Sequence, residues 1–163
     1  MKELITDIKK TTVFIGAINK EGMASFYGTG FLIQKDGFFY LVTAKHVIYD
    51  YKSSQLKDQD TFVFFNSKEN QIIFRRIIEI KEKFGVDWLF HNDPTIDIAV
   101  FPFGLNPITD DVKVINENLF LDFDRLFEVY ETFFLSFQPG IDYKKITPII
   151  RSGTISLLNE DKT

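Results

Sequence analysis

The sequence contains no cysteine. That absence excludes disulfides, a thiol nucleophile and any zinc–thiolate site. Histidine is nearly absent too, with 2 in the whole chain, so imidazole chemistry has only two places to start from. No apolar run approaches the roughly 18 residues that a membrane-spanning helix needs. The opening MKELITDIKK is charged and lacks the apolar segment and small-residue cleavage site of a secretory signal. The cytoplasm is therefore the default expectation, with an export leader removed beforehand as the alternative. Basic patches are missing as well: KEKF and YKK are short and flanked by acids, and 23 acidic residues against 19 basic ones leave a net charge of −4. Nucleic acid is not an expected partner.

What the chain has in excess is phenylalanine, 19 residues of 163. Aromatic and β-branched side chains suit a pleated, half-buried surface, which favours β structure. The length suffices to bury a core in one domain, or one and a fraction. TTVFIGAI (11–18) reads as a strand. SFYGTGFLIQKDGFFYLVTA (25–44) reads as two strands around Lys-Asp-Gly, because Asp-Gly tolerates the positive φ of a tight hairpin. DTFVFF (60–65) and QIIFRRIIEI (71–80) are the next two strands, and DIAVFPF (97–103) is apolar enough for a strand buried on both faces. Proline 102 limits how far that strand pairs. Residues 104–124 mix turn formers and acids and read as a connection. EVYETFFLSF and ITPIIRSGTISLL are two further strands. Helix is expected only in short pieces, 45–52 and 122–128. Short strands at such intervals point to a barrel or a sandwich.

His46 directly follows the apolar run LVTA. A histidine at a strand end is most often a packed or surface residue. Asp97 stands 51 positions later, opening the run DIAVF, where an unpartnered carboxylate at the rim of a core would be costly. On its own it reads equally well as a turn-capping Asp. Taken as a pair, the two have a chemistry: a carboxylate on one imidazole nitrogen selects the tautomer and stabilises the cation formed when the other nitrogen takes a proton.

GTGFLIQKDGFFYLVTAKHV followed by DIAVF resembles the first barrel of the trypsin-like serine peptidases, closest to the bacterial branch of heat-stress proteases. Later, FLSFQPG is similar to a strand of the second barrel that normally reads Gly-aromatic-Pro, and PIIRSGTIS is similar to the strand before the nucleophile loop. The resemblance spans about residues 11–158. It implies an all-β, trypsin-like double barrel, with a first six-stranded Greek-key barrel over 1–105 and a connection plus the first strands of a second over 106–163. It implies His46 as general base, Asp97 as the residue that orients it, a protein or peptide substrate, and no cofactor or metal.

The departures matter equally. No Gly-x-Ser-Gly-x-Pro-like loop is present. The serines at 25, 53, 54, 67, 136, 152 and 156 all lie in other contexts, and Ser152 falls in an expected strand. In SFQPG a Gln intervenes where Pro is expected, and Ser replaces Gly. Without the loop, and without the oxyanion-hole amides it would carry, residues 1–163 are expected not to cleave peptides. Two alternatives stand beside the peptidase: a catalytically inactive relative that uses the barrels as a binding surface, and an unrelated β-barrel interaction module. If nothing follows Thr163, the strands at 129–138 and 146–158 expose unpaired apolar edges, and dimerisation or strand exchange is expected.

Other candidates read as structural. His91, with Asp93 near it, has no diagnostic metal spacing and suits a surface loop. Gly28-x-Gly30 lacks the third glycine and following helix of a phosphate loop and suits a sharp hairpin entry. The acidic clusters TDD, DFD and NEDK lack calcium-loop spacing. Trp88 reads as a core or rim aromatic.

Overall fold

The computed structural model describes residues 2–122, 125, 128 and 130–155. The chain is mostly β. A first helix, α1 (Lys2–Lys10), leads into β1 (Thr12–Ile18), β2 (Ala24–Lys35) and β3 (Phe38–Thr43). One helical turn, α2 (Lys45–Ile48), is followed by the two-residue strands β4 (Tyr49–Asp50) and β5 (Gln55–Leu56). Then come β6 (Phe62–Asn66), β7 (Ile72–Arg76), α3 (Ile77–Phe84), β8 (Leu89–Phe90) and β9 (Ala99–Pro102). After β10 (Ile115–Asn116), the strands β11 (Glu131–Ser136) and β12 (Ile149–Thr154) complete the described elements.

The main sheet has 8 strands, ordered β7-β6-β1-β2-β3-β9-β8, with β10 added parallel to β2. All other pairings in it are antiparallel. β11 and β12 pair with each other, apart from this sheet. The β2–β3 turn places Asp36 at φ 50° and Gly37 at φ 80°, the paired left-handed conformation of a two-residue hairpin turn. Within β2, Ile15 opposes Gly28 while Gly16 opposes Phe26. Tyr27 is thus the extra residue of a bulge, a device that bends a strand and re-aims a side chain.

One core joins residues from across the sheet: Val13 and Ile15 of β1, Leu32, Leu41, Val63, Phe65, Ala99, Phe101 and Phe103, closed by Val47, Ile48, Ile77 and Trp88. Its polar margin is satisfied. Trp88 Nε1 donates to Asp58 Oδ1 at 2.9 Å, and Lys81 pairs with the other oxygen of Asp58 at 2.6 Å. Phe14 faces the opposite way, into a second cluster with Phe64 and Ile146, against which Phe26, Phe137 and Tyr143 pack. β1 is therefore buried on both faces. Asn66 ties the later segment down, donating to the carbonyl of Ile146 and accepting its N–H, both at 2.8 Å.

Three expectations need correction. The strand expected over 71–80 ends at Arg76, and the chain turns into α3, whose Ile77 and Ile80 pack on the core. Gly85, at φ 64°, stops that helix in the left-handed conformation. Helix also forms at α1, where none is expected. Gly28 and Gly30 lie within β2 and not at a hairpin entry. A Cβ on Gly28 would lie 2.4 Å from Val47 Cγ1, and one on Gly30 2.6 Å from Leu41 Cδ1, so glycine is needed there for close packing. Of the expected helical pieces, 45–52 is helical only over Lys45–Ile48, and Tyr49–Asp50 already forms β4. Most of 122–128 lies outside the described residues. Among the described residues, no helix is long and apolar enough to cross a membrane.

The Gly28–Val47 contact makes β2 a floor for α2. Gly28→Ala should cost about 1–3 kcal/mol through overpacking, measured by urea unfolding. In a Val47→Ala background the same change should cost clearly less, because the colliding methyls are gone. Equal costs in both backgrounds would show that the contact does not set the spacing.

Candidate active site

α2 is too short to be stable alone, since one turn fixes several residues for very few internal bonds. Its N-cap, Ala44, has no side-chain acceptor to offer the first amides. Asp97 supplies what Ala44 lacks. Its carbonyl accepts the Lys45 N–H at 3.3 Å, and its Oδ1 accepts the His46 N–H at 2.9 Å. The other carboxylate oxygen, Oδ2, lies 2.5 Å from His46 Nδ1. One residue thus caps the helix and holds the ring. β3 and β9 bring this about: Thr43 pairs with Ala99 at the end of the two strands, so the residues just beyond, 44–46 and 97–98, come together.

The pair is open to water, with side-chain exposures of 63% for His46 and 46% for Asp97. No described residue hydrogen-bonds to Nε2. Partial burial pushes the Asp97 pKa up. The hydrogen bonds from the His46 ring and backbone, the charge of a protonated His46 and the Lys45 amide together outweigh that, and the carboxyl sits below its usual value. Around the pair, the Lys45 ammonium lies 5.4 Å from the Tyr49 ring centre and 5.2 Å from that of Phe90.

The remaining candidates lie elsewhere. His91 is exposed in a loop, its Nδ1 accepting the Asp93 N–H at 3.0 Å. Among the described residues, no group of three or more His, Asp or Glu converges as a metal site would require. Ser152 sits in β12 opposite Phe133. Ser67 is buried and accepts the Gln71 N–H. Ser53 donates to Asp50, Ser136 accepts from Arg151, and Ser156 lies outside the described residues. Trp88 belongs to the core. Sequence reasoning misses Lys57, whose ammonium reaches the carbonyls of His46 and Val47. No local pattern marks it, because its partners lie 10 and 11 positions away across a turn. No protein-family model matches the chain, and neither does any curated protein sequence.

With Nδ1 against a carboxylate, the neutral ring should carry its proton on Nδ1 and leave Nε2 as an acceptor. Ring ¹⁵N NMR should show that tautomer dominating, and Asp97→Ala should abolish the preference. An unchanged tautomer in the variant would dissolve the proposed coupling. The acid dependence follows from the lowered Asp97 pKa: its contribution to stability is fully present above the unfolded value of about 3.9 and is lost as pH falls through the lower folded value. The stability difference between the wild type and Asp97→Asn should therefore shrink as pH drops from about 5 towards 2, followed by denaturant melts.

Proposed function

We propose that the chain carries the histidine–aspartate half of a trypsin-like serine endopeptidase centre, on the first of two β-barrels. The carrying observation is the Asp97–His46 contact, which steadies Nδ1 and leaves Nε2 free to accept a proton. The topology supports it. The order β6-β1-β2-β3 is the 4-1-2-3 arrangement of a Greek key. β7 also reaches the segment that follows β9: Arg75 of β7 donates to the Gly104 carbonyl, and its guanidinium lies over the rings of Phe65 and Phe103. A six-stranded barrel closed between β7 and β9 fits that arrangement.

In this reading a serine from outside the described residues gives its Oγ proton to His46 Nε2 as Oγ bonds to the peptide carbonyl carbon. The resulting imidazolium is stabilised by Asp97. It then passes the proton to the leaving amine as the C–N bond breaks. Water repeats the sequence to release the acyl group. The test uses the product of the native gene, with whatever residues it encodes after Thr163. A fluorophosphonate should label one serine, and Asp97→Asn should reduce peptide hydrolysis by about 10,000-fold while the protein stays folded. No labelling, or undiminished hydrolysis in the variant, would overturn the reading.

A second reading, a catalytically inactive protease-like binding module, is favoured by the β11–β12 hairpin. It exposes Phe133, Phe134 and Ile150, and neither strand has a second partner among the described residues. Such edges invite pairing with another chain. Residues 1–163 should then self-associate in sedimentation velocity, and Phe133→Lys with Ile150→Lys should leave a monomer. A monomer at every concentration before the changes would count against it.

A further inference from the structure

Asp97 secures only the first amides of α2, and the carbonyls at the other end must also be accounted for. The Ala44 carbonyl accepts the Val47 N–H at 3.1 Å, and that of Lys45 accepts the Tyr49 N–H. The next three belong to one residue. Lys57 donates from Nζ to the carbonyls of His46 at 3.4 Å and Val47 at 3.1 Å, and from its backbone N–H to that of Ile48 at 2.9 Å. The β4–β5 hairpin delivers it there. Asp50 holds the connecting turn by accepting from the Lys52 N–H and the Ser53 hydroxyl, and Ser54 reverses the chain at φ 56°.

Lys57 is itself held by two neighbours, Tyr27 and Thr61. Its ammonium lies 5.5 Å from the centre of the Tyr27 ring. Its carbonyl accepts the Thr61 hydroxyl at 2.7 Å. The Thr61 proton being committed there, the Tyr27 hydroxyl donates to Thr61 Oγ1, at 3.1 Å. Burial is the main cause that raises the Tyr27 pKa, with the Asp60 charge adding to it and the Thr61 bond opposing, so the phenol keeps the proton that this bond requires. Tyr27 is also the bulged residue of β2, and Gly28 beside it lets β2 approach Val47. A cation at the carbonyl end of a helical turn further complements the partial negative charge there.

We infer that Lys57 is a positioning residue for His46: it closes the carbonyl end of α2 as Asp97 closes the amide end, and the ring is aimed by the two together. The inference rests on the proposed function for its catalytic meaning alone; the clamp is tested without activity. In residues 1–163 labelled with ¹⁵N at histidine, the His46 Nδ1 proton should exchange with solvent about tenfold faster in Lys57→Met, which keeps the stem and removes the donors. Lys57→Arg should stay within about twofold of the wild type, since it retains a cationic donor. Lys57→Gln, whose amide falls short of the carbonyls, should behave like Lys57→Met and serves if the latter does not fold. A lower melting temperature with unchanged Nδ1 exchange in the Met or Gln variant would leave Lys57 a stability residue only and overturn the inference. Failure of the peptidase reading would appear separately, as absent fluorophosphonate labelling of the native gene product.

Discussion

The carboxylate of Asp97 performs two tasks that normally fall to different residues. One oxygen accepts a backbone amide and the other faces a ring nitrogen, both of His46. A side chain rotating about χ1 and χ2 is usually held by packing. Here the ring is 63% exposed, so packing cannot do it. The same carboxylate that fixes the backbone of His46 also fixes its ring, which removes the relative freedom between them. An alanine at the N-cap becomes acceptable for this reason, since the cap arrives from the residues leading into β9, with Asp97 lying 51 positions after His46.

Such a clamp works only if β3 and β9 keep their register. A one-residue slip would turn the side chains at the strand ends to the other face. The register is protected by burial: Leu41 pairs with Phe101 and Thr43 with Ala99, and all four are buried. Thr43 adds a bond from its hydroxyl to the Thr29 carbonyl at 2.8 Å, tying the last residue of β3 to β2. The core therefore contributes to the site by preventing slippage, and touches neither His46 nor Asp97 through a charge.

The legible parts of the fold were those where a local rule has a local cause. Asp36-Gly37 reads as a hairpin turn because its conformation is intrinsic to those residues, and LVTA reads as a strand because every residue suits a buried pleat. The Ile-rich stretch 72–80 misleads. Its β-branched side chains favour strand throughout, yet helix begins at Ile77, whose amide is taken by the Thr61 carbonyl at 3.0 Å. The spacing of Ile77, Ile80 and Phe84, with Gly85 behind, was the available helical sign. The α1 stretch carried a comparable one in Leu4, Ile5 and Ile8, one apolar stripe among charges. His46 and Asp97 are picked out by their places beside apolar runs and paired by chemistry, and the resemblance adds only their roles. Lys57 had no such sign, because its role exists only once a hairpin folds it back.

The openness of the pair sets how strongly it can act. Two unit charges at 4 Å attract by about 1 kcal/mol in water and about 4 kcal/mol at the effective dielectric near a protein surface. Exposed as it is, the Asp97–His46 pair lies towards the weaker limit. Its role in the free protein is geometric, a matter of tautomer and aim. Whatever covers the pair, a peptide laid across it or further protein surface, would strip water from both groups and strengthen their attraction. The cost of that desolvation is smallest when the ring and carboxylate already face each other, because no charge is left buried without a partner. Holding α2 at both ends before anything binds is therefore what allows the electrostatic benefit to appear on covering, without a reorganisation that would cancel it.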